Sequence, residues 1–332
     1  MRLAPLAALA ALTVLATQSA PRAQTAPPSP QLAFPVACQI GKTCEIQHYV
    51  DRDPGPGVLD YHCGHRTNDK HDGTDIRLLD MAAQRAGVDV LAAAAGRVVA
   101  VRDGVPDISI RAPGAPSVVG HECGNRVAIG LGNGWLIDYC HLAQGSLKVK
   151  VGDVVTVGQP LAHVGLSGDT EFPHLHFSVR HANQVVDPFA PASATGCAAQ
   201  PGGLWAPAVS RATPYKRGVV LNAGFATAVV SNAAIEERAI PAPSAASPAI
   251  VVYARAIGLE LGDVVDITLR GPDGKALAAT TLPPLDHDKA QFPAEVGRKR
   301  PSQGWARGRY TGEVRVHRGG GVALARKFTM SL

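Results

Sequence analysis

The segment PHLHFSVR, at positions 173–180, places two histidines one residue apart. Its strict alternation of polar and apolar residues predicts a half-buried β-strand, because successive side chains of a strand point to opposite faces. His174 and His176 then share one face, and the apolar residues between and after them share the other. The two imidazoles stand close enough to serve one metal ion or one reacting group.

A second candidate lies upstream in KHDGTDIRLL, where His71 and Asp75 are four residues apart. The Asp-Gly pair between them disfavours a helix and predicts a turn that leads into a strand. Such a turn can bring an imidazole and a carboxylate together.

A third candidate is His141 in DYCHL, near the end of a β-prone run. Its neighbour Cys140 projects to the opposite side and is interpreted as a disulfide partner rather than a metal ligand.

These three segments supply more histidine and carboxylate than a core needs. Two imidazoles and one carboxylate, with a fourth position open to water, form a common catalytic zinc set, whereas structural zinc sites are usually closed and often rich in cysteine. The other histidines of the first 190 residues lack comparable partners and are interpreted as surface or satisfied residues. They are His48, His62, His65, His121, His163 and His181.

The elements that must position these residues lie in a chain of 332 residues, long enough for two domains. The opening residues, with an early arginine, a short apolar run and small residues near position 20, predict a signal peptide over 1–23. The protein is therefore expected to be exported, and the mature chain to be soluble without stable membrane insertion.

Six cysteines follow the predicted signal peptide, and in an exported protein an even number favours disulfides. Cys38 and Cys44 are the easiest local pair, because CQIGKTC carries a glycine midway and can fold back. Zinc-binding thiolates are less favoured, since no C-x-x-C spacing occurs.

The formal charge of +5 is mild and suits an anionic polymer such as cell wall. No dense basic run supports nucleic-acid binding.

The rest of the chain is predicted to be mainly β-strand. Residues 24–58 form a proline-rich leader and a cysteine-bearing segment, and residues 59–195 are short β-prone runs cut by glycines. Residues 196–216 predict a linker, and the alternating runs of 217–332, with Asp-Gly and Gly-Gly turns, predict a small β-sandwich.

Local signals refine this picture in the first domain. LLDMAAQRAG at 78–87 predicts a short helix, and VLAAAAG, which follows it, predicts a strand because too little room remains for a helix. Gly-Asn-Gly at 132–134 predicts a hairpin. The irregular insert at 103–122 is long enough to be functional or mobile.

At this point a resemblance becomes specific. HDGTD, YCHL and HLHF, in that order, together with GNRVAIGLGNG, VKVGDVVTVGQPLAHVGLSG and VVDPF, resemble the lysostaphin and LytM family of zinc endopeptidases, which cut peptidoglycan peptides. The resemblance covers about residues 60–190. It implies a compact antiparallel β domain with a groove, of the duplicated hybrid motif kind. Carried over by position, His71, Asp75 and His176 would bind one zinc ion per chain, and His141 and His174 would be the catalytic histidines.

The resemblance implies a metalloendopeptidase that hydrolyses peptide cross-links or stem peptides of peptidoglycan. Its zinc-bound water would lose a proton at about pH 7. Two alternatives stay open: a non-catalytic activator or scaffold for other wall hydrolases, and a carboxypeptidase that trims terminal D-amino acids. The expected location is the periplasm if the cell has an outer membrane, and otherwise the extracellular space.

The sequence departs from the family pattern in three places. Phe172 stands where many relatives have glycine, a cysteine precedes His141, and the insert is longer than in the minimal enzymes. None of these removes a ligand, but they bear on groove width and substrate preference.

Overall fold

The computed structural model describes residues 1, 29–191, 196–197 and 203–332. The predicted signal peptide, apart from its first residue, lies outside the described residues. Among the described residues, no helix is both long enough and apolar enough to cross a membrane.

The first half of the chain is built around one antiparallel sheet, in the order β1-β2-β9-β6-β5-β4-β7, with β10 paired to β9. A two-stranded ribbon of β3 and β8 packs beside it. The elements are β1 (Cys44–His48), β2 (Thr74–Leu78), α1 (Met81–Arg85), β3 (Asp89–Leu91), β4 (Gly96–Arg102), β5 (Asn125–Gly132), β6 (Trp135–Leu142), β7 (Val154–Val155), β8 (Pro160–His163), β9 (His174–His181) and β10 (Gln184–Val185).

Strand β9 follows the predicted alternation. Leu175, Phe177 and Val179 are buried in the core of this half, and the alternate positions carry the two histidines on the opposite face of the sheet. The apolar face fixes the register, because a slip by one residue would turn the histidines into the core.

The hairpin predicted at 132–134 is confirmed. Gly132 pairs with Trp135, and the two residues between them, Asn133 and Gly134, have φ angles of 48° and 80°. Positive φ at both central residues defines the turn that matches the twist of a β-hairpin, which explains the Asn-Gly sequence.

Two local predictions are corrected. The helix expected over 78–87 is limited to Met81–Arg85, because Leu78 belongs to β2 and the Asp80 side chain caps the helix by accepting from the Ala83 amide. The strand expected for VLAAAAG ends at Leu91, and the next begins at Gly96. Between them the chain bends, with Ala92, Ala93 and Ala94 buried, and its backbone bonds to other segments, as the Ala93 amide does to the Tyr139 hydroxyl.

The second half forms the predicted β-sandwich. A three-stranded sheet, β11-β12-β15, faces a four-stranded sheet, β14-β13-β16-β17, across a shared apolar core. The elements are α2 (Pro207–Ala212), β11 (Val219–Ala226), α3 (Asn232–Glu237), β12 (Ala249–Leu259), β13 (Val264–Arg270), β14 (Ala276–Thr281), β15 (Lys289–Lys299), β16 (Arg309–Arg318) and β17 (Gly321–Ser331). The chain is therefore mainly β with antiparallel sheets, as the sequence predicts.

Segments on both sides of the expected peptidase region join its fold. Strand β1, from the cysteine-bearing segment, pairs with β2 at one end of the sheet. Trp205, from the predicted linker, is buried and stacks on Phe177 at 5.5 Å between ring centroids. The sheet that carries the candidate histidines is thus completed by residues before position 59 and after position 195.

All six cysteines form disulfides, which confirms the local Cys38–Cys44 pair and the assignment of Cys140 as a disulfide partner. The other bonds are Cys123–Cys140 and Cys63–Cys197, the latter joining positions 134 residues apart. In the chain-entropy view a cross-link stabilises more when it closes a longer loop, so Cys63–Cys197 should contribute most.

We expect Cys63→Ala with Cys197→Ala to lower the free energy of unfolding by up to about 5 kcal/mol. Cys63→Ala alone should lose nearly as much, because either change opens the loop and Cys63 is exposed. Denaturant unfolding of the oxidised proteins measures both. A loss below about 1 kcal/mol in the double variant would contradict the loop-closure account.

Candidate metal centre and active site

The carboxylate of Asp75 lies at the centre of the site. Asp75 is 4% exposed, and on β2 it lies opposite His176 of β9 on one side and His48 of β1 on the other. Its Oδ1 atom is 3.1 Å from His71 Nε2, 3.0 Å from His176 Nδ1 and 3.4 Å from His174 Nε2. Strand pairing therefore gathers side chains that are about 100 residues apart in the sequence.

His71, Asp75 and His176 can hold a metal ion together. One donor atom from each lies within 4.8 Å of the other two. Two imidazole nitrogens and one carboxylate oxygen are a donor set that zinc prefers, and with three protein ligands a fourth position stays open. The residues fit the group that the sequence predicts at this place.

Hydrogen bonds outside this triad fix the tautomers of its histidines. His71 Nδ1 donates to the Tyr49 carbonyl at 2.7 Å, so the lone pair of the ring lies on Nε2, which faces Asp75. His176 Nε2 donates to Asp72 Oδ1 at 3.0 Å, so the ring carries its lone pair on Nδ1 when neutral. Such outer partners orient metal-binding histidines and raise their basicity.

Asp72 is held in turn by an ion pair with Arg180, which lies on the same face of β9 as His176. The hydrogen bond from His176 and the charge of Arg180 lower the pKa of Asp72 below its ordinary value. A charged carboxylate therefore faces the outer edge of the His176 ring. Between these groups the chain requires Gly73, since a Cβ there would lie 2.5 Å from His176 Nε2.

His141 lies beside the triad in an unusual backbone conformation. Its φ angle is 59°, in the left-handed region that few non-glycine residues adopt, and the disulfide of the preceding Cys140 to Cys123 ties down this stretch. The His141 amide also donates to the Cys123 carbonyl at 2.8 Å. Such conformations are found where the surrounding structure imposes them, often at functional sites.

The ring centroids of His141 and His174 are 4.6 Å apart. His141 Nδ1 donates to the Ser167 carbonyl at 2.8 Å, and His174 Nδ1 donates to the Phe172 carbonyl at 2.9 Å. Each ring therefore carries its lone pair on Nε2 when neutral. Burial, followed by the nearby His174 and His176, holds the pKa of His141 well below its ordinary value, so this imidazole is neutral at pH 7 and can accept a proton.

The structure adds His48, for which the sequence predicts a surface or satisfied residue without a comparable partner. His48 is 7% exposed, and its Nδ1 donates to Asp75 Oδ2 at 2.9 Å. Burial lowers its pKa, so the ring is neutral and its single proton serves this bond. No local pattern around CEIQH indicates this contact, because it depends on how β1 pairs with β2.

The other histidines of this half behave as expected. His62 stacks on Tyr215, His181 stacks on Trp135, and His163 contacts Asp89 at 3.3 Å. His65 pairs with Asp288 at the surface, and His121 is exposed. None of these five histidines lines the cleft above the candidate metal ligands.

The site opens into a cleft of about 730 Å³. Its walls come from the sheet, from Ile110 in the long insert, and from Ala290 and Gln291 of the second half. The insert packs on the loop before β9: the Ile110 amide donates to the Thr170 carbonyl at 3.0 Å, and Arg111 pairs with Glu171 at 2.7 Å. The insert is therefore one wall of the cleft rather than a separate loop.

Part of the sequence matches known proteins. The sequence model of peptidase family M23 matches residues 69–188. Over 121 residues the chain is 32% identical to the cell division protein DipM of Caulobacter vibrioides, a match that spans 36% of this chain and 16% of that relative's length.

Two catalytic domains of known structure resemble part of the chain. The catalytic domain of the prophage-encoded M23 protein EnpA from Enterococcus faecalis, crystallised as a point mutant, is 21% identical with a TM-score of 0.33 and covers 47% of this chain and 96% of its own. The catalytic domain of lysostaphin from Staphylococcus simulans is 22% identical with a TM-score of 0.27 and covers 42% of this chain and 85% of its own. The family assignment rests on the sequence match, which identifies residues 69–188 as a domain of peptidase family M23.

Proposed function

We propose that this chain is a zinc-dependent endopeptidase that hydrolyses peptide cross-links or stem peptides of peptidoglycan. The observation that supports it most is the convergence of His71, Asp75 and His176 beside two further buried imidazoles at the base of an open cleft. Membership of a peptidase family supplies the class of reaction. The name of the Caulobacter relative suggests that such cleavage serves cell division.

His71 Nε2, Asp75 Oδ1 and His176 Nδ1 would hold the zinc ion. When bound, zinc supplies a Lewis acid and lowers the pKa of water to about 7. Asp72, His48 and the Tyr49 carbonyl orient the three ligands through the hydrogen bonds described above.

His141 and His174 carry the proton transfers in this proposal. Because the Nδ1 proton of each ring is directed to a backbone carbonyl, Nε2 can accept a proton from the attacking water. Once protonated, the same atom can donate to the developing oxyanion or to the leaving amine. Both carbonyl contacts persist through this cycle, so the rings need not turn.

The chain is also proposed to act outside the cytoplasm. All six cysteines are paired in the structure, which suits an oxidising compartment. The signal peptide predicted over 1–23 would deliver the chain there, to the periplasm where an outer membrane exists and otherwise to the extracellular space.

The proposed ligands and proton carriers should separate experimentally. His71→Ala and Asp75→Ala should lose both bound zinc and peptidase activity, because each removes a donor atom, whereas His141→Ala should keep zinc and lose turnover. Metal analysis of the purified proteins and release of peptides from sacculi measure the two properties. Full activity of His141→Ala would contradict the assignment, and zinc without cleavage in the unaltered protein would favour the activator function.

Glu171 provides a test of which group accepts the proton. It lies on the cleft wall but pairs with exposed Arg111 rather than with the triad. We expect Glu171→Gln to retain kcat within about threefold and His174→Ala to lower it by about 100-fold or more, the usual contribution of a general base. The rates are compared on a defined muropeptide, and the reverse order would assign the proton transfer to Glu171.

Asp72 should strengthen metal binding without contacting the metal. Asp72→Asn keeps the size of the side chain but removes the charge beside His176, and loss of such an outer carboxylate costs about 10–100-fold in zinc affinity. Chelator competition measures this affinity. The matched control is Asp69→Asn, whose carboxylate lies at the surface and pairs with Lys70. Equal affinities of both variants would show that Asp72 has no such role.

A further inference from the structure

Three charged side chains meet where the sandwich contacts the candidate peptidase sheet. Arg77 of β2 and Arg255 of β12 are 0% and 1% exposed, and both pair with one oxygen, Oε2, of Glu236 on α3. Arg255 also donates to the Leu79 carbonyl at 3.0 Å, directly after β2. Two buried guanidinium groups thus share one carboxylate that belongs to the other half of the chain.

This arrangement fixes the contact between the two halves. Removing one partner of a buried ion pair leaves an uncompensated charge, which is strongly destabilising. Glu236 therefore cannot move away from Arg77 without exposing both arginines to that cost. Its neighbour Glu237 differs, because it pairs with Arg85 at the surface, where both side chains are more than half exposed.

Arg77 connects this cluster of charges to His174, the candidate catalytic residue on β9. It lies opposite His174 in the pairing of β2 with β9. Its guanidinium carbon lies over the ring of Phe172, 4.1 Å from the ring centroid. The ring centroids of Phe172 and His174 are 4.9 Å apart. Phe172 also supplies the carbonyl that accepts from His174 Nδ1. The position of His174 thus depends on Phe172, and that of Phe172 on Arg77.

A second contact joins the halves at the cleft. The Gln47 side chain accepts from Arg77 at 3.1 Å and donates to the Ala290 carbonyl at 3.0 Å. Ala290 and Gln291 are the sandwich residues that line the cleft. The sandwich therefore contributes a wall of the cleft at the same place where its charges hold β2.

We propose that the C-terminal sandwich is a working part of the peptidase site, with Glu236 as a positioning residue that holds His174 through Arg77 and Phe172. This inference rests on the proposed function for its catalytic consequence. It gives the sandwich a function within its own chain, independent of any protein partner. The sandwich would act mainly on turnover, because Arg77 contacts Phe172, and Phe172 in turn contacts the ring of His174 and supplies the carbonyl that accepts from it.

The test compares Glu236→Gln with Glu237→Gln in the full chain. The first removes the charge that two buried arginines share, and the second removes an adjacent exposed one. We expect Glu236→Gln to lower kcat on a defined muropeptide by about 10–100-fold, the effect of a small misplacement of a reacting group, with KM and zinc per chain unchanged. Amide hydrogen exchange over residues 172–180 should increase in the same variant only. Equal kcat and equal exchange in the two variants would overturn the proposal.

Glu236→Gln could fail to fold because it leaves two arginines uncompensated. In that case Phe172→Leu tests the same path, since it removes the ring between Arg77 and His174 but no charge. It should lower kcat at unchanged zinc content, and unchanged kcat in the folded variant would overturn the proposal.

Failure of the proposed function is distinguishable from failure of this inference. If the unaltered protein cleaves no muropeptide, the proposed function fails, while hydrogen exchange over 172–180 still compares Glu236→Gln with Glu237→Gln. Higher exchange in Glu236→Gln alone supports the positioning path, and equal exchange refutes it.

Discussion

The burial of one carboxylate organises this molecule. Asp75 is almost fully enclosed, and burial by itself would raise its pKa, yet the surrounding histidines, His71 and His174 foremost, hold the pKa well below its ordinary value. A buried anion is stable only where hydrogen bonds or cations compensate it. Without a metal the histidine nitrogens that face Asp75 compensate it as protonated N–H groups, and the same nitrogens, once deprotonated, are the donors a divalent cation requires.

This constraint explains why segments so far apart in the sequence are fixed together. The triad needs β1, β2 and β9 in register, since His48 and His176 approach Asp75 from opposite sides. Backbone carbonyls then set the tautomers of the rings, and a short disulfide-tied stretch sets His141. Beyond them, the buried guanidinium groups of Arg77 and Arg255 and the half-buried carboxylate of Glu236 join the sheet to the sandwich. The outer contacts therefore orient the side chains that surround Asp75.

The sequence predicts those features that depend on local chemistry. The alternation around His174 and His176, the Asp-Gly turn before β2, the Asn-Gly hairpin and the nearby cysteine pair all follow from spacing within a few residues. The polyalanine stretch is different, because its helix propensity and strand-like placement are both overridden by hydrogen bonds to distant segments such as the one holding Tyr139. Local propensity cannot decide such a case.

What the sequence does not predict is long-range pairing of polar groups. The contact of His48 with Asp75 depends on strand register across 27 residues, and that of Arg77 with Glu236 spans 159. Neither contact leaves a periodic signal, because one polar residue on a strand looks the same whether it is solvated or buried against a charge. The contacts of the sandwich with β2 therefore become visible only in three dimensions.

The central claim is that His71, Asp75 and His176 bind one zinc ion. Anomalous diffraction at the zinc absorption edge, on crystals of the full chain loaded with zinc, tests it most directly. The account predicts one peak at about 2.0–2.2 Å from His71 Nε2, Asp75 Oδ1 and His176 Nδ1. A zinc-loaded crystal with no peak there, or with its peak held by a different set of side chains, would contradict it.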